Sequence, residues 1–391
     1  MTTTIPQSPL PPTADFVIIG GGVMGASTAY HLAQARAKKI VLLERESFFG
    51  QGATGRCAGG VRYQFATEIN IRLSLASMGM IERFEEEIGQ PCDYNPCGYL
   101  FVLTRPDDVA RFEKNVALQH QLGVQTEWLT GDEVRQRLPF MNFPDALAGT
   151  IHHKDGLADP NGIVMGYMKR AKELGVTAVT DTAVTDIITK GGQVTAVVTN
   201  QGTIQTNCVI NAAGPWAGQI GQMAGVELPI TPIRRQMITT TPLPDLPLDF
   251  PFVIDFAQSL YFHREGEGVL TGMSNPNQPP GFDQSIDHEW EMDALEAAIQ
   301  RLPMLDRAGR QSGWAGLYEV TPDAHPIFGR SPLAGFWLVT GFSGHGFMHG
   351  PVAGKLMAEI ILAGAAKTVD VSSLDLARFA EGRLIVEYNV I

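Results

Sequence analysis

Asp15 is followed by four apolar residues, 16–19, and then by Gly20, Gly21 and Gly22. An unbroken apolar run of this length predicts a strand buried on both faces. Beyond the glycines the period changes, and Val23, Ala26, Tyr30 and Ala33 share one face of a helix. A second apolar strand follows at 39–44 and ends in Glu44. Strand, glycine turn, helix and strand make a βαβ unit and imply a parallel sheet. The order recurs near the other end, with a strand at 336–340, a glycine-rich turn at 341–348 and a helix over 351–362. A further short apolar run, 208–211, ends in Ala212, Ala213 and Gly214.

Between these units the pattern is less regular. Ile71, Leu75, Met78 and Ile81 predict a helix over 68–89, with Gly89 as its C-cap. A strand is expected at 97–103 and a helix at 106–122, while 134–144 shows little regular pattern. A helix at 163–174 precedes strands at 177–179 and 184–188, then a hairpin through 190–193 joining to 194–199 and 202–206. Residues 229–251 are proline-rich, carry Arg234 and Arg235, and read as a crossing between domains. A hairpin of 260–264 with 268–272 and a helix at 290–302 complete the middle of the chain. The alternating βα rhythm lapses after residue 90 and again after 225, so a second domain is expected there.

Charge narrows the function. Lys+Arg total 29 against 41 Asp+Glu, a net charge of −12, so neither nucleic acid nor an anionic membrane is an expected partner. No apolar run reaches the length of a membrane span. Residues 1–13 have neither a basic nor an apolar targeting region and read as a disordered tail. Four irregularly spaced cysteines suggest reduced thiols, a cytoplasmic location and no metal site.

The glycines carry the chemistry. Gly20, Gly22 and Gly25 fit G-x-G-x-x-G, which permits a tight turn, a close approach of pyrophosphate and close helix packing. Glu44 stands about 20 residues further on, where an acid binds ribose. Residues 49–62 hold five glycines with Gln51, Thr54, Arg56 and Arg62, and read as a second cofactor-binding segment. Ala212, Ala213 and Gly214 let backbone approach a ligand beyond a strand's carboxyl end. At the C-terminal turn a helix start would favour the anionic edge of a reduced flavin. The first unit alone also suits an NAD-dependent dehydrogenase; the second glycine segment and the C-terminal turn favour FAD.

The chain resembles the flavin-dependent amino-acid oxidoreductases of the D-amino-acid oxidase type, and within them the β subunits of sarcosine oxidase and L-proline dehydrogenase. The resemblance rests on Gly20-x-Gly22-x-x-Gly25, residues 52–57, 211–216, Thr321-Pro322-Asp323 and 341–347. It implies a mixed α/β fold. A Rossmann-like FAD domain would come from 14–90, 151–225 and 314–391, and a substrate domain with an antiparallel sheet from 91–150 and 226–313. It implies oxidation of the Cα–N bond of a small amino acid, often a secondary amine, by hydride transfer to flavin.

By the same resemblance, expected FAD contacts are Gly20, Gly22, Val23, Met24, Glu44, Arg45, Gln51, Ala53, Thr54, Arg56, Cys57, Ala58, Gly59 and Val184. Ala213, Gly214, Trp216, Leu317, Tyr318, Gly341, Gly344, His345, Gly346, Phe347 and Met348 complete them. For the substrate, Arg62, Arg235 and Arg264 are candidate carboxylate clamps, Arg62 first, because a buried carboxylate needs a cationic fork. Tyr261 and Tyr318 would donate hydroxyls, His345 would polarise the amine side, and His263 is a further candidate. The chain departs from monomeric sarcosine oxidases at Gly316, where they attach FAD through Cys, and at Met348, where they carry Lys. Their oxygen-activating Lys is absent from 268–272. Non-covalent FAD and an electron acceptor other than O2 are therefore expected. The partner expected besides the substrate is a further subunit, in a homo- or hetero-oligomer, and the alternative function is a flavin-bearing electron-transfer subunit of a hetero-oligomeric complex.

Overall fold

A computed structural model describes residues 10–391. Of the tail expected to be disordered, 1–9 lie outside the described residues, but 10–13 are ordered. The Pro12 carbonyl accepts from Gln205 N–H at 2.9 Å, and Thr13 bridges Gln205. The free edge of the strand Gly202–Gln205 supplies the partner that local composition could not reveal.

A six-stranded sheet runs in the order Ile327–Arg330, Phe336–Thr340, Val209–Asn211, Phe16–Ile19, Ile40–Leu43, Thr177–Val179. All neighbours are parallel except the first pair. Its strands are apolar on both faces because both are covered. Ile18, Leu42, Ile210 and Val339 pack with the helices Val23–Gln34, Pro160–Glu173 and Gly346–Ala363. Val17, Ile19, Val41 and Leu43 face Ile187, Val194, Val197 and Ile204 of a three-stranded antiparallel sheet. The two glycine-turn helices lie against each other, and the Ser27 hydroxyl donates to the Pro351 carbonyl at 2.9 Å.

The second sheet has eight strands: Arg310–Val320, Thr231–Thr240, Gly268–Met273, Leu260–Glu265, Phe252–Asp255, Tyr99–Leu103, Ala148–His152 and Glu127–Thr130. Alternation splits its residues between two faces. Leu100, Val102, Val253 and Phe262 pack under the helix His288–Arg301, while Tyr99, Phe101, Phe252, Ile254 and Tyr261 form the opposite face. That opposite face roofs the site.

Several local expectations need correction. Residues 134–144 are not wholly irregular: 134–137 form the end of a helix, Gly131–Arg137, whose start carries a reciprocal capping box of Thr130 and Glu133. The region 229–251 is no mere crossing, since ten of its residues, Thr231–Thr240, form a strand paired along Arg310–Val320. Pro232 is tolerated close to that strand's start. The helix expected over 68–89 is two, Glu68–Glu82 and Phe84–Ile88, separated at Arg83. The last long helix starts at Gly346, not at Pro351, which sits inside it.

Candidate active site

A cavity of about 360 Å³ runs between the carboxyl ends of the parallel strands and the roof of the eight-stranded sheet. Its floor is the first glycine turn. Gly20 has φ +110°, and a Cβ there would lie 2.3 Å from the Ala212 carbonyl oxygen. A Cβ on Gly25 would lie 1.9 Å from the Gly20 oxygen, so only glycine lets the helix start this close to the strand. The helices Val23–Gln34 and Gly346–Ala363 both begin without a side-chain cap from the N-cap residue and without an acid in the first turn. Two positive helix ends therefore meet at one cavity.

The flanking groups suit a nucleotide. Glu44 closes its strand and is buried; its two oxygens accept the N–H groups of Gly21 at 2.7 Å and Glu46 at 2.9 Å. Burial raises its pKa, and those N–H groups oppose the rise. The Thr54 hydroxyl accepts from Val23 N–H at 3.2 Å, tying the second glycine segment to the first turn. The Arg45 guanidinium lies 3.6 Å from the Trp216 ring centre. Arg56 donates to the Ala315 carbonyl at 2.9 Å, and Trp314 donates to the Arg56 carbonyl at 3.0 Å. A Cβ on Gly316 would stand 3.0 Å from the Arg56 Cβ, which leaves little room for a larger side chain. Burial pushes the Cys57 thiol up to about 12.

Arg235 occupies the roof. Strand alternation sends its neighbour Arg234 to Asp283 at 2.9 Å and Asp287 at 3.2 Å, and turns Arg235 into the cavity. Arg235 Nη1 donates to the Arg234 carbonyl at 3.1 Å, but its buried Nε has no partner among the described residues. Its surroundings are Tyr318 and Tyr261; burial lowers its pKa, and the two phenols oppose the fall. A half-buried guanidinium that faces a cavity without a carboxylate partner suits an anion.

The cavity brings together most of the residues expected from the sequence: Gly20, Gly22, Val23, Met24, Glu44, Arg45, Ala53, Thr54, Arg56, Cys57, Ala58, Gly59, Val184, Ala213, Gly214, Trp216, Tyr261, Leu317, Tyr318, Gly344, Gly346, Phe347 and Met348. Gln51 lines only the adjoining outer mouth. Gly341 does not line it, and four substrate candidates do not reach it either. Arg62, ranked first, is buried with its guanidinium on the carbonyls of Gln64 and Asn389. Arg264 turns to the other face of its strand and donates to the Leu246 carbonyl at 3.1 Å. His263 packs behind Phe252 with ring centres 5.0 Å apart, and burial lowers it to about 4. His345 points back into the protein, 5.2 Å from His349, and burial holds it neutral.

Tyr99, Met237, Phe252, Ile254, Glu319 and Ile391 also line the cavity and were missed. Tyr99 and Phe252 are register partners whose rings stack at 4.1 Å. The unbroken apolar runs of Tyr99–Leu103 and 252–254 were the available signal. Glu319 accepts from the Thr340 hydroxyl at 2.8 Å and from Phe342 N–H at 3.2 Å, supporting the C-terminal glycine turn.

Comparisons with known proteins agree with this geometry. A family model described as FAD dependent oxidoreductase (DAO) matches residues 15–360. FAD-dependent oxidoreductase domain-containing protein 1 of Xenopus laevis is 31% identical, over 99% of this chain and 87% of its own length. The mitochondrial sarcosine dehydrogenase of Mus musculus is 32% identical over 96% of this chain, which spans only 42% of that enzyme. The crystal structure of L-proline dehydrogenase from P. horikoshii superposes with a TM-score of 0.88 at 32% identity, covering 96% of this chain and 100% of the other.

Proposed function

From the premise that this chain belongs to the FAD-dependent oxidoreductase (DAO) family, we propose that it oxidises the Cα–N bond of a small amino acid. The favoured substrate is a secondary amine, N-methylated or cyclic. Bound FAD would supply the hydride acceptor. The two helix starts without an acid in the first turn, the buried Glu44 and the cavity that joins them fit that dinucleotide. Gly20, Gly22 and Thr54 would hold its phosphates, Glu44 its ribose, and Gly344, Gly346, Phe347 and Met348 its ring end.

Arg235 carries the reading. Its guanidinium would take the substrate carboxylate, with the Tyr261 and Tyr318 hydroxyls beside it. This fixes one end of the substrate and orients its α-carbon. Tyr99, Phe252 and Ile254 would keep water from the reacting bond. The names of the sarcosine and proline dehydrogenases support an amino-acid substrate. The absence of lysine from Gly268–Met273 supports an acceptor other than O2. The test is anaerobic mixing of the purified flavoprotein with a panel of N-methyl and cyclic amino acids. Bleaching of the flavin by this chain alone is expected; a spectrum unmoved by every member would reject the reading.

A further inference from the structure

Residues 384–391 have no regular secondary structure, and their exposure alternates against the usual sense. Leu384, Val386 and Tyr388 face solvent, while Glu387 and Asn389 are buried. Glu387 is the first anchor. Its N–H donates to the Asp323 carbonyl at 3.1 Å. Its carboxylate accepts from Ala66 N–H at 3.0 Å, the Thr67 hydroxyl at 2.9 Å, the Asn70 amide at 3.0 Å and Asn389 N–H at 3.0 Å. Asn389 is the second. Its carbonyl accepts from Arg62, and its side-chain oxygen accepts from Asn115 at 3.3 Å. A buried carboxylate satisfied by this many donors holds its segment in one register.

Beyond the anchors, Ile391 enters the roofed end of the cavity and packs against the cluster of Tyr99, Phe252 and Tyr261. One apolar side chain is thus held in place by polar bonds made elsewhere. Arg62 belongs to those bonds and not to the cavity lining, so it is a positioning residue.

We propose that residues 384–391 form a strap whose Ile391 side chain walls the substrate end of the cavity and sets the largest group the substrate can carry. The substrate class is then a small aliphatic amino acid. The proposal deepens the reading above and rests on it, because Arg235 is what holds the other end of a carboxylate-bearing substrate.

The test uses holoprotein and two ligand series of equal length, straight-chain carboxylates from acetate to hexanoate and the matching alkylamines. Each is titrated against the flavin absorbance of the wild type, Ile391→Ala and Glu387→Ala. In the wild type, affinity should fall beyond a limiting chain length. In Ile391→Ala the limit should move to longer chains, the longest carboxylates gaining about 10-fold relative to acetate, as one added methylene of fit allows. Glu387→Ala loosens the strap without touching the cavity and should shift the limit in the same direction. Length profiles that coincide in all three proteins, in both series, would overturn the strap. Carboxylates that bind the wild type no tighter than amines of equal length would instead overturn the role of Arg235, and the amine series would then decide the strap.

Discussion

The Arg235 guanidinium lies 5.2 Å from the centre of the Tyr318 ring, and among the described residues no carboxylate pairs with it. Arg234, one residue earlier, meets two aspartates. The contrast assigns one arginine to structure and leaves the other for a ligand. Arg235→Ala should lower kcat/KM for the amino-acid substrate by roughly 2–5 kcal/mol, since the buried carboxylate loses its charge partner. Flavin content should hold. Arg264→Ala, on the far face of the sheet, should change kcat/KM little. Steady-state kinetics at equal flavin content check both.

Gly20→Ala should empty the cofactor site. The new methyl would sit 2.3 Å from the Ala212 oxygen at φ +110°, a conformation costing a side chain about 1–3 kcal/mol before any clash is counted. The flavin-to-protein absorbance ratio of the purified variant should collapse. Retention of full flavin would show that the turn can move aside.

The Thr321-Pro322-Asp323 stretch has a structural job. Arg378 Nε meets Asp323 Oδ2 at 2.8 Å and Nη2 meets Oδ1 at 3.0 Å, with both side chains fully buried. Burial alone would raise the Asp323 pKa, but the hydrogen bonds and charge of Arg378 outweigh it and hold it below the ordinary 3.8. A depressed carboxylate stabilises the fold above its unfolded pKa and loses that contribution as pH falls through its folded pKa. Stability from this pair should be level above about pH 5 and decline below about pH 4. Asp323→Asn should cost about 3–5 kcal/mol at neutral pH and flatten part of the acid decline. Urea unfolding across pH measures both.

FAD should leave on denaturation. Position 316 is glycine with little room beside Arg56, and the half-buried Cys57 thiol, raised to about 12 by desolvation, is not ionised at neutral pH. Thiolate is the nucleophile a sulfur link would need. After acid precipitation the yellow colour should be in the supernatant; colour in the pellet would point to a covalent link.

The cofactor half of the site was legible because its signals are local. A glycine turn between a strand and a helix needs no distant partner to be recognised, and Gly20 to Met24, Gly344 and Gly346 to Met348 line the cavity where that pattern put them. The mixed α/β class followed from the same units. The substrate half depends on long-range contacts. Arg62 leaves the second glycine segment and looked well placed, yet the carbonyl of Asn389, from the far end of the chain, takes its guanidinium. His345 follows a cavity-lining glycine, but its ring turns inward beside His349. Arg235 and Arg234 are indistinguishable until the proline-rich stretch is known to be a strand, whose alternation separates them. The capping box of Thr130 and Glu133 is different, a local signal in plain view that was overlooked.

The central claim is that this flavoprotein oxidises an amine bearing a carboxylate, which Arg235 holds. The most direct measurement compares anaerobic bleaching by a cyclic or N-methyl amino acid with bleaching by the same amine lacking its carboxylate, such as proline against pyrrolidine or sarcosine against dimethylamine. Fast bleaching by at least one amino acid is predicted, with its decarboxylated counterpart slower by roughly 2–5 kcal/mol in second-order rate and the gap closing in Arg235→Ala. Equal bleaching by both members of every pair, or a gap that persists in Arg235→Ala, would contradict it.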